Sequence, residues 1–418
     1  MKIAIFGTTL YAAVTAALLA ECGHTIFISC ESEQPFTGFE VKEKDVLRAL
    51  DLQAQAGFLH YCDFQNLPFD IDAYIFSFSP AKKACAFALA EKLKLKHIIH
   101  PKLMINASTF GLNGTQALED ILSEDDWVYF PDTVQEGQAF NSVTHMDHII
   151  VGCEAESVQL TIKEMLRPLF PRPQQYLFMP ILDAEFTKLS ISGMLATRIS
   201  YMNDLAVVAE KLGIDISHVR EGMAADSRIG SSYLYPGAGF GGENFSHDIL
   251  TLSNTVKTTG LKNQLLDQVW QINEQQKEFL FRKLWNYYHG NLKGKTIAIW
   301  GAAFKANTPS TAFSPIHPML QALWAQGVTV KLHDPQAMDE IQAQYGERAD
   351  LILCDDQYAA TEGAHALCLL TAWKQYGSLD YNKLKQTMQH PFILDGRNIY
   401  QPDYVKSQGF AYMGVGRS

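Results

Sequence analysis

The same short pattern occurs twice in this 418-residue chain: an unbroken apolar run closed by a glycine. After Lys2, Ile3-Ala4-Ile5-Phe6 runs into Gly7, and after Lys295-Thr296, Ile297-Ala298-Ile299-Trp300 runs into Gly301. Apolar runs this short, without polar alternation, suit strands covered on both faces, as in parallel sheets. After the first glycine, Leu10 to Cys22 reads as an alanine-rich helix and Thr25 to Ser29 as a second buried strand. Strand, glycine turn, helix and strand make the opening βαβ unit of a doubly wound sheet. The second run restarts that pattern near residue 293, so the fold class is α/β with two Rossmann-like doubly wound domains.

Further strands are expected at Tyr74 to Phe78, Lys102 to Asn106 and His148 to Gly152 in the first half. Candidate strands of the second half are Val328 to His333, Leu351 to Cys354, Ala366 to Leu370 and Phe392 to Leu394. Between the halves the pattern is helical: Asp183 to Leu212, Asp215 to Met223, Asn244 to Gly260, and a long helix from Gln264 to Tyr288. The proline-rich segment Arg167-Pro168-Leu169-Phe170-Pro171-Arg172-Pro173 suits a boundary. The expected organisation is 1–175, a dinucleotide-binding-like domain; 176–290, an all-helical domain; and 291–418, a second α/β domain. A chain of this length needs two or three such units.

The hydrophobic share of 47% and charged share of 19% are ordinary for a globular protein. A net charge of −11 argues against a nucleic-acid partner, although a helix N-terminus on an acidic protein still binds phosphate. The seven cysteines show no C-x-x-C or metal-ligand spacing, which suggests reduced thiols, a cytoplasmic protein and no metal site. Because Gly7-Thr8-Thr9 interrupts the N-terminal apolar run, it reads as a first strand rather than a signal peptide. No stretch is long and apolar enough to cross a membrane.

Chemistry-bearing residues concentrate in a few motifs. Residues 226–248 contain Asp226-Ser227-Arg228-Ile229-Gly230 and then Pro236-Gly237-Ala238-Gly239-Phe240-Gly241-Gly242-Glu243-Asn244-Phe245-Ser246-His247-Asp248. Four glycines so close together let a backbone wrap a ligand through conformations closed to other residues. This segment resembles the active-site loop of the UDP-glucose/GDP-mannose dehydrogenase family, Gly-Gly-(small)-Cys-Phe-Pro-Lys-Asp, in which the cysteine is the covalent catalyst. Asn244 occupies the cysteine position, Ser246 that of the proline and His247 that of the lysine, while Asp248 matches the acid that assists the base.

The resemblance covers nearly the whole chain, since the family also runs from a cofactor domain through a helical dimerisation core to a nucleotide-sugar domain. The family's Gly-x-Gly-Tyr-Val-Gly corresponds to Gly7-Thr8-Thr9-Leu10-Tyr11-Ala12, which keeps only the first glycine. By the resemblance Gly7, Thr9, Leu10 and Tyr11 line the NAD pyrophosphate. The ribose acid falls at Cys30, with Glu31 one place later as the candidate. A working NAD site and an α/β fold whose cofactor grip has decayed both stay open.

Asn106-Ala107-Ser108-Thr109 with Gly114-Thr115 resembles Ser-Thr-x-x-x-Gly-Thr, which implies a role for Ser108 beside the cofactor and for Thr109 near the chemistry. As a bare motif it also reads as a helix cap. Pro131-Asp132-Thr133-Val134-Gln135-Glu136-Gly137 resembles Pro-Glu-Phe-Leu-x-Glu-Gly, and Glu136 takes the acid/base position. Thr133 and Val134 replace the Phe-Leu pair that shapes the sugar pocket. Glu185-x-x-Lys188-x-x-x-Ser192 resembles Glu-x-x-Lys-x-x-x-Asn, whose i, i+4 spacing puts the last two side chains on one helix face. Lys188 is then the group that stabilises a developing alkoxide, and Ser192 stands where the family has asparagine. Arg228 implies a reach into the neighbouring subunit of a homodimer, and Tyr233, Phe240 and Gly241 are implied substrate contacts. Gly301-Ala302-Ala303-Phe304-Lys305-Ala306-Asn307-Thr308 resembles Gly-x-x-Phe-Lys-x-x-Thr, but Pro309 to Phe313 lacks the acids and arginine that follow. Asp334-Pro335, Thr371-Ala372-Trp373 and Asp395-Gly396-Arg397-Asn398 complete the pattern. Lys305 and Arg397 suit a diphosphate, and a nucleotide sugar such as a UDP-hexose is the implied ligand.

The family oxidises a primary alcohol to a carboxylate with two NAD⁺ through a thioester on cysteine. An asparagine amide cannot form that thioester. Three readings stay open: a dehydrogenase limited to one two-electron step through Lys188, with Glu136 and Asp248; a nucleotide-sugar-binding homologue without turnover; and a four-electron enzyme with substitute residues.

Overall fold

The computed structural model describes residues 1–29, 41, 43–95, 103–123, 126–260 and 264–417. Cys30, Glu31 and Lys102 lie outside the described residues. The chain divides into two compact units, Met1–Ile191 and Ser192–Ser418.

The first unit is built on eight strands: β1 (Lys2–Phe6), β2 (Thr25–Ser29), β3 (Leu59–Tyr61), β4 (Ala73–Phe76), β5 (Leu103–Asn106), β6 (Trp127–Tyr129), β7 (Ile149–Gly152) and β8 (Tyr176–Met179). Their order is β3-β2-β1-β4-β5-β6-β7-β8. All neighbours are parallel except β6 and β7, which meet through the Tyr129–Gly152 pair. Successive residues of β1 point to opposite faces. Ile3 and Ile5 join one apolar cluster with the alanine-rich helix Leu10–Glu21, while Ala4 and Phe6 join another with Tyr74, Phe76 and Leu89. A strand covered on both faces must be apolar throughout, which is why the opening run shows no alternation. The proline-rich segment 167–173 leads into β8, whose register with β7 pairs Ile149 with Tyr176 and Gly152 with Met179.

The second unit carries β9 (Thr296–Trp300), β10 (Thr329–His333), β11 (Leu351–Leu353), β12 (Ala366–Leu369), β13 (Phe392–Asp395) and β14 (Ala411–Gly414), in the order β11-β10-β9-β12-β13-β14. Every neighbouring pair is parallel. The first six strands of the other sheet have the same relative order, so in each sheet the order reverses between the first and fourth strands. Ligands of open α/β sheets bind outside the carboxyl ends of the strands at that reversal.

The long helix Ile181–Leu212 carries the boundary between the units, followed by helices Ile216–Ala225 and Glu243–Thr258. The single helix expected from Gln264 to Tyr288 is two, Leu265–Lys277 and Phe279–Tyr287, meeting at Glu278. No glycine or proline marks the break. It coincides with side-chain bonds from the last turn of the first helix to a loop. Met202, Ala206, Leu280 and Leu284 share one apolar cluster with Ile297, Ile299 and Leu367 of the second sheet.

Candidate functional site

In the first unit the reversal point lies beside Gly7 and Ser77, the residues that follow β1 and β4. Gly7 has φ +106°, and a Cβ there would come within 1.9 Å of the Ser77 carbonyl oxygen. Only glycine fits, with or without a ligand. Thr9 caps the Leu10–Glu21 helix, its Oγ1 accepting from the Ala12 N–H at 3.1 Å. The same oxygen lies 2.5 Å from the Ser77 hydroxyl. A side chain therefore crosses the crevice where a dinucleotide pyrophosphate lies in this fold, and it occupies a donor of the helix terminus. These residues fit a dinucleotide poorly. Leu10 and Tyr11 form the first helical turn, and burial drives the Tyr11 phenol up from its ordinary value.

Ser108 is fully engaged within the protein: its hydroxyl donates to the Phe76 carbonyl and accepts from the Phe78 N–H. Thr109 is buried, and its N–H donates to the Phe78 carbonyl. Gly114-Thr115 opens a helix, Gly114–Leu122, whose N-terminus is held by Glu185. The Glu185 carboxylate accepts from the Asn113 N–H at 2.6 Å, the Thr115 N–H at 2.9 Å and the Thr115 hydroxyl at 2.7 Å. Asn106 donates in turn to the Thr115 hydroxyl. Burial raises the Glu185 carboxyl above its ordinary value, and the three donors oppose that rise. Lys188, one turn later, is only 8% exposed. That is unusual for lysine and separates it from a solvated surface residue. Glu136 lies half-buried in a loop fastened by Glu43, which accepts from the Gly137 N–H at 2.7 Å.

In the second unit three buried side-chain amides hold the glycine loop in place. Asn203 accepts from the Gly237 N–H and Gln276 donates to the Gly237 carbonyl, both at 2.8 Å. Asn273 accepts from the Phe240 N–H at 2.7 Å and donates to the Phe240 carbonyl at 3.1 Å. Backbone bonds from Ala238 N–H to Gly396 and from Gly242 N–H to Ala312 complete the frame. A Cβ at Gly241 would meet the Phe313 carbonyl at 2.7 Å and Phe304 Cβ at 2.9 Å. The Phe240 ring packs edge-on against Phe245 and Trp270. Tyr233, with φ +60°, lies next to Phe245.

Asn244 is half-buried in the first turn of the Glu243–Thr258 helix. One turn later Asp248, 1% exposed, accepts from the Ser192 hydroxyl at 2.7 Å. The structure thus brings together two residues the sequence singled out separately. The two cysteines of this unit lie on strands of the sheet and not on the glycine loop: Cys354 follows β11 and Cys368 lies within β12, and burial pushes both thiols up. In the other unit burial pushes the Cys153 thiol up to about 11.

Arg228 stands apart. Its side chain is 87% exposed and bonded to Asp226 in its own turn. The turn is held by Arg198, which donates to the carbonyls of Ile229 and Gly230. Arg397 is committed to backbone, with Nε donating to the Leu370 carbonyl at 2.5 Å and Nη2 to the Phe304 carbonyl at 3.0 Å. Burial lowers its guanidinium to about 10. Lys305 lies over the Phe304 ring, 5.5 Å from its centroid. The turn after β9 is organised by Asp334, which accepts from the N–H groups of Ala302 and Ala303 and from the Trp373 indole.

Sequence reading places Asn203 within the segment Arg198 to Asp204 that resembles the family, but does not single out Asn273, Gln276 or Ser77. Polar residues at 273 and 276, three apart on an otherwise half-apolar helix, were the available signal for two of them. Ser77 had none, because it reaches Thr9 across strand pairing rather than along the chain.

Two doubly wound sheets, each reversing its strand order between its first and fourth strands, define an open α/β protein of the Rossmann-like class. Residues 182–275 match the central domain and residues 298–402 the UDP binding domain of the UDP-glucose/GDP-mannose dehydrogenase family. A UDP-glucose 6-dehydrogenase of Pseudomonas aeruginosa is 38% identical over 69% of this chain and 64% of its own length. One of Bacillus subtilis is 32% identical over 80% of this chain and 72% of its own. The solved UDP-glucose dehydrogenase of Pyrobaculum islandicum superposes with a TM-score of 0.85 at 23% identity, over 100% of this chain and 98% of that one. The chain belongs to the UDP-glucose/GDP-mannose dehydrogenase family.

Proposed function

We propose that this protein binds a nucleotide sugar such as a UDP-hexose and does not carry out four-electron oxidation to a uronic acid. The observation that carries the reading is Asn244. It stands at the start of a helix behind an intact glycine loop, while the cysteines of the same unit are buried thiols with raised pKa values. The loop and the Phe304, Lys305 and Arg397 region support ligand binding without supplying a nucleophile. A homodimer is part of the proposal, with 176–290 as the dimerisation region. Its support is the row of exposed apolar residues Phe186, Met194, Tyr201 and Val208 along one helix, at a spacing that keeps them on one face. Arg228, exposed while paired with Asp226 in its own turn, is then the residue that meets a second subunit, and the cytoplasm is the proposed site of action.

A second reading rests on the buried Lys188: a two-electron, NAD-dependent oxidation in which its ammonium stabilises an alkoxide, with Glu136 and Asp248 handling protons. Thr9 opposes that reading.

The deciding experiment compares thermal unfolding of the protein alone, with NAD⁺, with UDP-glucose and with both, since a ligand selective for the native state raises the melting temperature. A response to UDP-glucose alone supports the binding role, and a response to NAD⁺ shifts weight to the second reading. UDP-glucuronate formed from UDP-glucose and NAD⁺ overturns the proposal.

A further inference from the structure

We propose that Asn273 is the positioning residue that pre-forms the glycine loop, so that the loop stands in its ligand-ready shape before any ligand arrives. The proposal rests on the nucleotide-sugar reading for what the loop binds, but not for how the loop is held.

Asn273 lies on the Leu265–Lys277 helix and is fully buried. Its amide bonds both polar groups of Phe240, Oδ1 receiving the N–H and Nδ2 giving to the carbonyl. Only one orientation of the amide satisfies both, so the side chain reads the loop as a paired strand would. Gly239 shows how closely the loop lies on that helix. It has φ +98°, and a Cβ there would come 3.2 Å from Asn273 Oδ1 and 3.1 Å from Lys277 Cγ. Trp270, three residues before Asn273, packs edge-on against the Phe240 ring, so one helix face holds both the backbone and the side chain of that residue. Asn203 and Gln276 fix only Gly237, four residues from the bend at Gly241. Asn273 is therefore the described side chain that holds the stretch leading into Gly241 and Gly242. A loop of this glycine content otherwise samples many shapes, and ordering it on binding weakens affinity.

The test is Asn273→Asp, which keeps the shape and the Phe240 N–H bond but sets a carboxylate oxygen against the Phe240 carbonyl. A protonated Asp restores the donor. Burial and the facing carbonyl raise the pKa of such a carboxyl, so the variant behaves as wild type at low pH and loses the loop as pH rises, whereas Asn273 itself does not titrate. We expect hydrogen exchange of the 236–242 backbone to accelerate on raising the pH, beyond the intrinsic rate seen in wild type, with exchange in β9 to β14 unchanged. UDP-glucose affinity falls about tenfold over the same range, the scale of one buried hydrogen bond. Asn273→Leu, which removes both bonds, gives the same loop exchange at every pH. Unaltered exchange at 236–242 in both variants overturns the proposal, as does acceleration spread evenly over the unit, which marks a merely structural residue. Should wild type ignore UDP-glucose, that failure falls on the ligand reading, and the exchange data still decide the role of Asn273.

Discussion

Replacing Thr9 by glycine tests whether one side chain closes the N-terminal crevice. Thr9 Oγ1 makes two contacts, to the Ala12 N–H at 3.1 Å and to the Ser77 hydroxyl at 2.5 Å. Glycine is itself a tolerated N-cap, so losing the first contact costs only a few tenths of a kcal/mol. Losing the second costs about 1 kcal/mol. The variant should thus melt about 2–4 °C lower, by the scale that holds for units of this size. If removing the bridge opens the pyrophosphate position to a dissociation constant of about 100 μM, 1 mM NAD⁺ returns about 1.4 kcal/mol. The variant's melting temperature then recovers to the wild-type value, while the wild type does not move. Thr9→Ser, which keeps the hydroxyl, should respond like the wild type. Calorimetric titration with NAD⁺ checks the affinities directly. A folded Thr9→Gly that ignores NAD⁺, or a wild type that binds it equally well, refutes the claim that this bridge is the obstruction.

Three other outcomes follow from the geometry. Gly301→Ala, at φ +97° with its new Cβ 2.4 Å from Thr371 Cβ, should destabilise the second unit by about 3 kcal/mol in urea unfolding, and a loss below about 1 kcal/mol contradicts the steric reading. Asn244→Cys places a thiol in the first turn of a helix, where the thiolate is favoured; it should react with iodoacetamide at neutral pH faster than Cys153, Cys354 or Cys368, and labelling at the slower rate of those buried thiols counts against that placement. Glu185 has its folded-state pKa raised by burial, so the native state holds its proton longer than the unfolded state. Its contribution is present below the ordinary carboxylate value and is lost as pH rises through the raised one; the urea midpoint of wild type relative to Glu185→Gln should fall as pH rises above the ordinary value of 4.5, and a difference that grows with pH reverses the assignment.

The sheets are readable because buried parallel strands must be apolar along their buried length: β4 and β12 are apolar throughout, and β1 and β9 are after their first residues, Lys2 and Thr296. The sequence offers no comparable run for β3, β6 and β14. Each is short, and β3 and β14 lie at sheet edges where one side has no strand partner and the pattern is weak. The prolines before β8 read as an ending, whereas the sheet adds one more strand after them. Among site residues, helical spacing located Lys188 and Ser192 on one face, and the bond from Ser192 to Asp248 followed from folding distant helices together. The charge of Arg397 is what suits it to a diphosphate in the sequence. Its position between the Leu370 and Phe304 carbonyls depends on how three strand ends converge, which no local pattern encodes.

Gly7 and Gly301 occupy matching places in the two sheets, each where the chain leaving one strand brushes the chain leaving its neighbour, Ser77 in one case and Thr371 in the other. The first glycine of a dinucleotide fingerprint is thus demanded by the scaffold itself. Reading such a glycine as a sign of a bound nucleotide mistakes a hinge pin for a keyhole. That steric demand does not extend to the later positions of the fingerprint, where this chain has Thr9 and Ala12.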